Sequence, residues 1–156
     1  MIIGYTDGSC NVKTQQGGIG VYITTTPPIV ISKGFSNTTT GRCELIALLY
    51  ALRAVEDKTT KLLLYCDSMY VVNTVREYWI ERWEKSGWED RKNVDLLQQI
   101  LIEIRRFNFR PKMMHIKGHQ KNHNDVHILG NHIVDRLAHY KQFKTYQQDR
   151  YDNESV

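Results

Sequence analysis

No apolar run in the sequence is long enough to cross a bilayer. The longest uncharged one, residues 45–52, falls far short of the roughly 20 residues that a membrane-spanning helix needs. The opening "MIIGYTDG" lacks the basic region and apolar stretch of a secretory signal, so a cytoplasmic protein is expected. Cysteine is scarce: Cys10, Cys43 and Cys66 form no CxxC pair and are odd in number, which argues against both a disulfide framework and a cysteine zinc site. Repeats and low-complexity segments are absent as well. The 156 residues, 41% hydrophobic and 24% charged, suit one ordinary globular domain with a real core. Acidic residues are missing from one window: between Glu103 and Asp125 there are none, whereas Arg105, Arg106, Arg110, Lys112, Lys117 and Lys121 all fall there with three histidines. The net charge of +4 permits a polyanionic partner, and this run is either a phosphate-facing edge or a solvated face.

"IIGYTDGS", "GGIGVYIT" and, after Pro27-Pro28, "IVISKGFS" are β-rich runs bounded by turn residues, so the first 36 residues predict three consecutive antiparallel strands. Residues 42–56, "RCELIALLYALRAVE", contain strong helix formers and neither Gly nor Pro. Their apolar positions occupy nearly the full helical circle, which predicts a largely buried helix. Glu44 lies on that helix beside Ala47, Leu48, Ala51 and Val55, where a carboxylate needs a partner or a metal. "KLLLYCDS" predicts a buried strand, followed by a helix beginning near Ser68; "NVDLLQQILIEIRRF" predicts another helix, "PKMMHIKGH" a last strand, and "GNHIVDRLAHYKQF" a final helix. Alternation in this half makes a parallel extension of the sheet, with helices on its faces, the economical α/β fold. Residues 143–156 are polar and aperiodic and are expected to form a loose tail after a domain spanning residues 1–142.

Taken singly, each acid has an unremarkable explanation. Asp7-Gly8 suits a hairpin turn, Asp67 or Ser68 a helix cap, and Asp135 a solvated helix face. Glu44 fits such a reading less well, because the residue three positions before it is Gly41 rather than the Ser or Thr of a capping box. Taken together, Asp7 ends the first predicted strand, Asp67 ends the fourth, Glu44 begins the buried helix, and Asp135 lies on a helix that must pack on the same sheet. Ligands of open α/β sheets gather at such strand ends. Four clustered carboxylates repel one another unless protonated or neutralised, and two hard divalent cations with oxygen ligands balance their charge. A pair of such ions, roughly 3.5 to 4 Å apart, is suited to phosphodiester hydrolysis.

The blocks "YTDGSC", "TGRCEL", "YCDSMYV", "IKGH" and "GNHIVDRLA" resemble, in order and spacing, those of type 1 ribonuclease H, over residues 1–142. The resemblance implies a ribonuclease H-like fold: a five-stranded mixed sheet, three antiparallel strands then two parallel, flanked by helices. It implies an endonuclease that cuts the RNA strand of an RNA/DNA hybrid with two Mg²⁺ ions, or Mn²⁺ as substitute, leaving 5′-phosphate and 3′-hydroxyl ends. By the same resemblance Asp7, Glu44, Asp67 and Asp135 match the metal-binding carboxylates, and His119 matches a mobile histidine of proton transfer or product release. Gly8 then serves close backbone approach. Cys10, Asn11, Gly41, Arg42 and Asn131 match substrate-binding positions, and Thr39 and Asn93 match positions that hold a DNA phosphate. Recognition is expected to rest on the 2′-hydroxyl and on hybrid shape more than on base sequence.

The segment "YWIERWEKSGWEDRKNVD" resembles a protruding handle that many bacterial relatives place against the DNA strand, with Trp79 the expected direct contact. Here Glu81, Glu84, Glu89 and Asp90 offset Arg82, Lys85, Arg91 and Lys92, so a weak electrostatic grip is expected, supplemented by the basic run. Several positions depart from the family pattern: "NVKTQQGG" replaces a Gly/Pro loop, Thr40-Gly41 a pair of asparagines, and Met69 a glutamine. The long arm "HQKNHNDVHILGNHIVD" makes His123 and His127 rivals to His119. Three other readings compete: a zinc site of His115, His119, His123 and His127 spaced by four, a hybrid-binding module without catalysis, and a different nuclease of the same fold acting on DNA. A monomer with no obligate protein partner and no membrane association is expected.

Overall fold

A computed structural model describes residues 1–122 and 124–149. Strands β1 (Ile2–Cys10), β2 (Gly17–Ile23) and β3 (Ile29–Ser36) form the expected antiparallel meander. β4 (Leu62–Cys66) pairs parallel to β1, and β5 (Lys112–His115) parallel to β4. The sheet has six strands, in the order β5-β4-β1-β2-β3-β6. The additional strand β6 (Gln147–Gln148) runs parallel to β3, pairing with Phe35 and Ser36.

β6 corrects both the strand count and the expectation of a loose tail from residue 143. Its two glutamines carry no apolar alternation that a sequence reading detects, and the pairing is secured instead by distant groups. Asn37 Nδ2 donates to Gln148 Oε1 at 2.8 Å, Asp149 N donates to Ser36 O at 3.1 Å, and the Phe143 ring lies over Gly18 and Gly34. The rest of the expected tail, residues 150–156, lies outside the described residues.

Helix α1 (Thr40–Ala54) starts two residues earlier than predicted, because the Thr39 hydroxyl caps it by accepting from Arg42 N at 3.1 Å. Residues 45–49 of α1, with Cys43, Ala51 and Leu52, have no exposed surface, as the all-round apolar pattern requires. α1 packs on β1 and β2 and is covered by α4 (Val94–Arg105). α2 (Met69–Arg76), capped by Ser68, and α3 (Trp79–Lys85) lead from β4 into α4.

α5 (Val126–Leu137) packs on β1 and β2 and begins a full turn before the predicted start at Gly130. Gly130, the first residue of the predicted helix, lies inside the observed one and serves contact: a Cβ there would meet the Tyr5 ring at 2.4 Å. Asp125 provides the actual cap, accepting from His127 N at 2.8 Å. Gly8 is another position where contact dictates glycine, since an added Cβ would lie 2.4 Å from Glu44 N and 2.5 Å from Cys43 C. Gly8→Ala is therefore expected to push α1 off β1 and destabilise the protein by about 3 kcal/mol or more, as overpacking against backbone does. Chemical denaturation checks this, and an unchanged midpoint would refute the contact.

Candidate active site

Asp7 sits on β1 opposite Gly20 of β2 and is 5% exposed, with Oδ1 accepting from Gly8 N at 2.9 Å. Asp67 follows the last residue of β4, and Glu44 lies in the first turns of α1. One carboxylate oxygen from each of Asp7, Glu44 and Asp67 lies within 4.8 Å of the others. Burial pushes the Asp7 carboxyl up to about 8, reinforced by Asp67, Asp135 and Glu44 against the Gly8 hydrogen bond. Burial likewise pushes Glu44 up to about 7, with the Ser68 hydroxyl opposing and Asp67 reinforcing. Asp67 is raised by burial and by Asp135, and is held down in part by its hydrogen bond with Asp7 and by His119 and His115. Among the described residues no Lys or Arg forms an ion pair with these three acids. An all-oxygen set whose ionised form no cation of the described residues compensates fits a hard divalent cation and does not fit a cysteine- or histidine-type zinc centre.

Asp135 stands somewhat apart. It is exposed on α5 and outside the tight group, yet near enough to raise both Asp7 and Asp67. His119 occupies an exposed turn after β5 with a left-handed φ of 59°. The turn is pressed against the acids: a Cβ on Gly118 would lie 3.1 Å from Asp67 Oδ2, and His115 Nε2 is 3.2 Å from Asp67 O. Sequence reading missed Gly118 and Ser68 as neighbours of the carboxylates, although both adjoin residues that it singled out.

His127 is built into the fold. Its Nδ1 is 2.9 Å from the Tyr5 hydroxyl, and its ring stacks on Tyr65 with centroids 4.0 Å apart and planes at 18°. It is therefore not the mobile group that its place in the arm allowed, and His123 lies outside the described residues. The four-histidine zinc reading also fails, since His115 is on β5, His119 in a turn and His127 on α5 rather than on one helix.

The expected substrate positions divide. Cys10 is half-buried, with Sγ 3.5 Å from both Asn11 O and Thr38 O, and Asn11 Oδ1 is used within its own turn, accepting from Lys13 N and Thr14 N. Gly41 faces open space in the first turn of α1. Arg42 is different, because its guanidinium is wholly engaged by Asp95, Asp149 and Asn93 and has no donor left for a ligand. Asn131 is 6% exposed, and its Oδ1 is buried with no hydrogen-bond partner. Asn131 is thus an interior group, and Arg42 is half-buried with its guanidinium committed to the protein.

Trp79 is half-buried, with its centroid 6.0 Å from that of Trp83, which in turn stacks on Tyr70 at 6.2 Å under the Arg91 guanidinium. The aromatic stripe is thus partly packing, and Tyr70, 41% exposed, is its more exposed member. The handle and the basic run neutralise each other: Arg105 pairs with Glu84 at 2.6 Å, and Arg110 pairs with Glu81. Arg106 pairs with Glu103 at 3.0 Å, so Lys112, Lys117 and Lys121 are the cations of the run without an ion pair among the described residues.

A model of the RNase H family matches residues 1–142. Similar proteins include ribonuclease H of Caldicellulosiruptor saccharolyticus, 35% identical over 124 residues (76% of this chain and 83% of that protein). Ribonuclease H of Thermoanaerobacter sp. strain X514 is 35% identical over 140 residues, 86% of this chain and 84% of that one. Ribonuclease H of Chlorobium luteolum is 38% identical over 124 residues, 76% and 83% of the two chains. Two solved structures share the fold at 23% identity and 88% coverage of this chain: a prototype foamy virus protease-reverse transcriptase, of which 20% is covered, with a TM-score of 0.74, and a type 1 RNase H with the type 2 active-site motif, 69% covered, with a TM-score of 0.67. The chain belongs to the ribonuclease H family, enzymes that hydrolyse RNA in RNA/DNA hybrids.

Proposed function

We propose that the chain is an endoribonuclease that cuts the RNA strand of RNA/DNA hybrids at the site of Asp7, Glu44, Asp67 and Asp135, with two Mg²⁺ ions when substrate is bound and Mn²⁺ as a substitute. The observation that carries this reading is the group of three carboxylates drawn within 4.8 Å of one another. When bound, the divalent ions supply activation of the attacking water and stabilise charge on the leaving oxygen, so that hydrolysis leaves a 5′-phosphate and a 3′-hydroxyl. Asp7, Glu44 and Asp67 are the holding oxygens, and Asp135 completes the set from the facing helix. Their raised proton affinity means that metal loading displaces protons, since only the ionised carboxylates are ligands.

His119, exposed beside Asp67, is the group that moves a proton at the leaving oxygen or eases product release. Cys10, Asn11, Thr39, Gly41 and Asn93 border the substrate surface, whereas Arg42 and Asn131 act from inside. Shape and the 2′-hydroxyl select the hybrid. No described helix is long and apolar enough to cross a membrane; the reading further assigns a cytoplasmic monomer.

The test is cleavage of an end-labelled RNA strand in RNA/DNA, RNA/RNA and DNA/DNA duplexes, with Mg²⁺, Mn²⁺ or chelator. Cutting of the hybrid alone, abolished by chelator, is the expected result; cutting of plain duplex DNA would replace this reading. His119→Ala is expected to lower kcat by about 10²-fold, as loss of one proton-transfer group does, without abolishing cleavage. An unchanged kcat would remove His119 from the mechanism.

A further inference from the structure

Arg42 has five N–H donors and all are used. Nε donates to Asp149 Oδ2 at 2.7 Å, and Nη2 to Asp149 Oδ1 at 3.1 Å and Asp95 Oδ2 at 2.6 Å. Nη1 donates to Asp95 Oδ1 at 3.1 Å and to Asn93 Oδ1 at 3.2 Å. The Asp149 side chain is 1% exposed, and Thr38 Oγ1 donates to it as well, at 2.9 Å. A carboxylate so buried persists only when fully paired, and β6 is what carries it there.

The consequence reaches the surface through Asn93. An arginine donor accepts nothing, so Asn93 must turn its oxygen toward Arg42 and its NH₂ away. That NH₂ has no hydrogen-bond partner among the described residues. At the other end of the same arginine, Thr39 Oγ1 accepts from Arg42 N, which directs its hydroxyl proton elsewhere. Two donors without a protein partner among the described residues are thus set by one half-buried cation, one before α1 and one before α4, whose cap residue Asn93 is in a left-handed conformation with φ 60°.

We propose that Asp149, carried in by β6, is a positioning residue for substrate: through Arg42 it holds the Asn93 NH₂ outward, with the Thr39 hydroxyl, as a donor pair for a phosphate of the bound hybrid. The proposal rests on the hybrid-cleaving reading for the identity of the anion. Charge is not the source of the grip, since the formal charges of Arg42, Asp95 and Asp149 sum to −1. That sign makes the idea testable. If Asp149 acted only as a charge near phosphate, Asp149→Asn would tighten hybrid binding; if it positions Asn93, the same isosteric change weakens it.

The experiment measures KM and kcat for the hybrid, hybrid binding in chelator by fluorescence anisotropy, and the Asn93 side-chain NH₂ resonances of the free protein. For Asp149→Asn the expected result is a roughly tenfold rise in KM and in the binding constant, the size of one hydrogen bond to a charged group, with kcat unchanged and the Asn93 resonances moved. Asn93→Ala should weaken binding similarly, and the double variant no further, because both remove one contact. Tighter or unchanged binding in Asp149→Asn, or additive losses in the double variant, overturns the proposal. Arg42→Lys keeps the charge but cannot span both carboxylates and the amide, so it should reproduce the loss even if Asp149→Asn folds poorly. Wild-type protein that binds the hybrid without cutting it would sink the catalytic reading alone, because the binding and resonance comparisons need no cleavage.

Discussion

Asp7→Asn is expected to reduce hybrid cleavage by at least about a thousandfold while leaving hybrid binding intact or stronger. The asparagine keeps the shape of a side chain that is 5% exposed, so the fold survives, but it removes the central charge of the group formed with Glu44 and Asp67. Loss of a single preorganised electrostatic contact to a transition state commonly costs 10²–10³-fold, and losing a metal-holding oxygen exceeds that. Binding measured in chelator above pH 8, where the Asp7 carboxyl is ionised, moves the other way, because one negative charge near the scissile phosphate is gone. Cleavage and anisotropy measured on the same hybrid separate the two effects. Residual activity within tenfold of wild type would show that chemistry occurs elsewhere.

The metal-free protein is expected to lose stability as pH rises from about 5 to 8, by at least about 5 °C in melting temperature. The folded state raises Asp7 from 3.8 to about 8 and Glu44 from 4.5 to about 7. Between these limits the folded protein binds more protons than the unfolded chain, so stability falls with increasing pH. The contribution is complete below the unfolded values and lost as pH passes through the folded ones. Divalent cation should reverse the trend, raising the melting temperature strongly at pH 8 and little at pH 5, since protons and metal compete for the same oxygens. Asp7→Asn should flatten much of the slope. Calorimetry in chelator and in Mg²⁺ decides, and a flat metal-free profile would mean that the three acids are not held as close as described.

Local pattern carried the reading furthest where one element's own residues decide the outcome. The meander of β1 to β3 follows from short β-rich runs between turns, and the burial of α1 follows from apolar residues around its whole circle. Asp7, Glu44 and Asp67 were legible for a related reason: each sits at the end or beginning of such an element, and the topology of a mixed sheet brings those ends together. Where contact between distant segments decides, the sequence misled. Gly130 reads as the start of α5 because its fit against Tyr5 is invisible in one dimension. His127 looked interchangeable with His119 until Tyr5 and Tyr65 enclosed it.

Arg42 shows the limit most clearly. The family resemblance marks it as a substrate position, and only Asp95 and Asp149, 53 and 107 residues away, turn it into a clamp within the protein. The sequence by itself determined the order of β1 to β5 and of the helices α1, α2, α4 and α5, and three residues of the acidic group, because periodicity and turn chemistry act over a few residues. The tertiary structure decided which of those groups remain free for a ligand: the docking of β6, the engagement of Arg42, the burial of Asn131, and the pairing of the basic run with the handle. Long-range hydrogen bonds and ion pairs settle such matters, and they form only once the hydrophobic core has brought distant segments within reach.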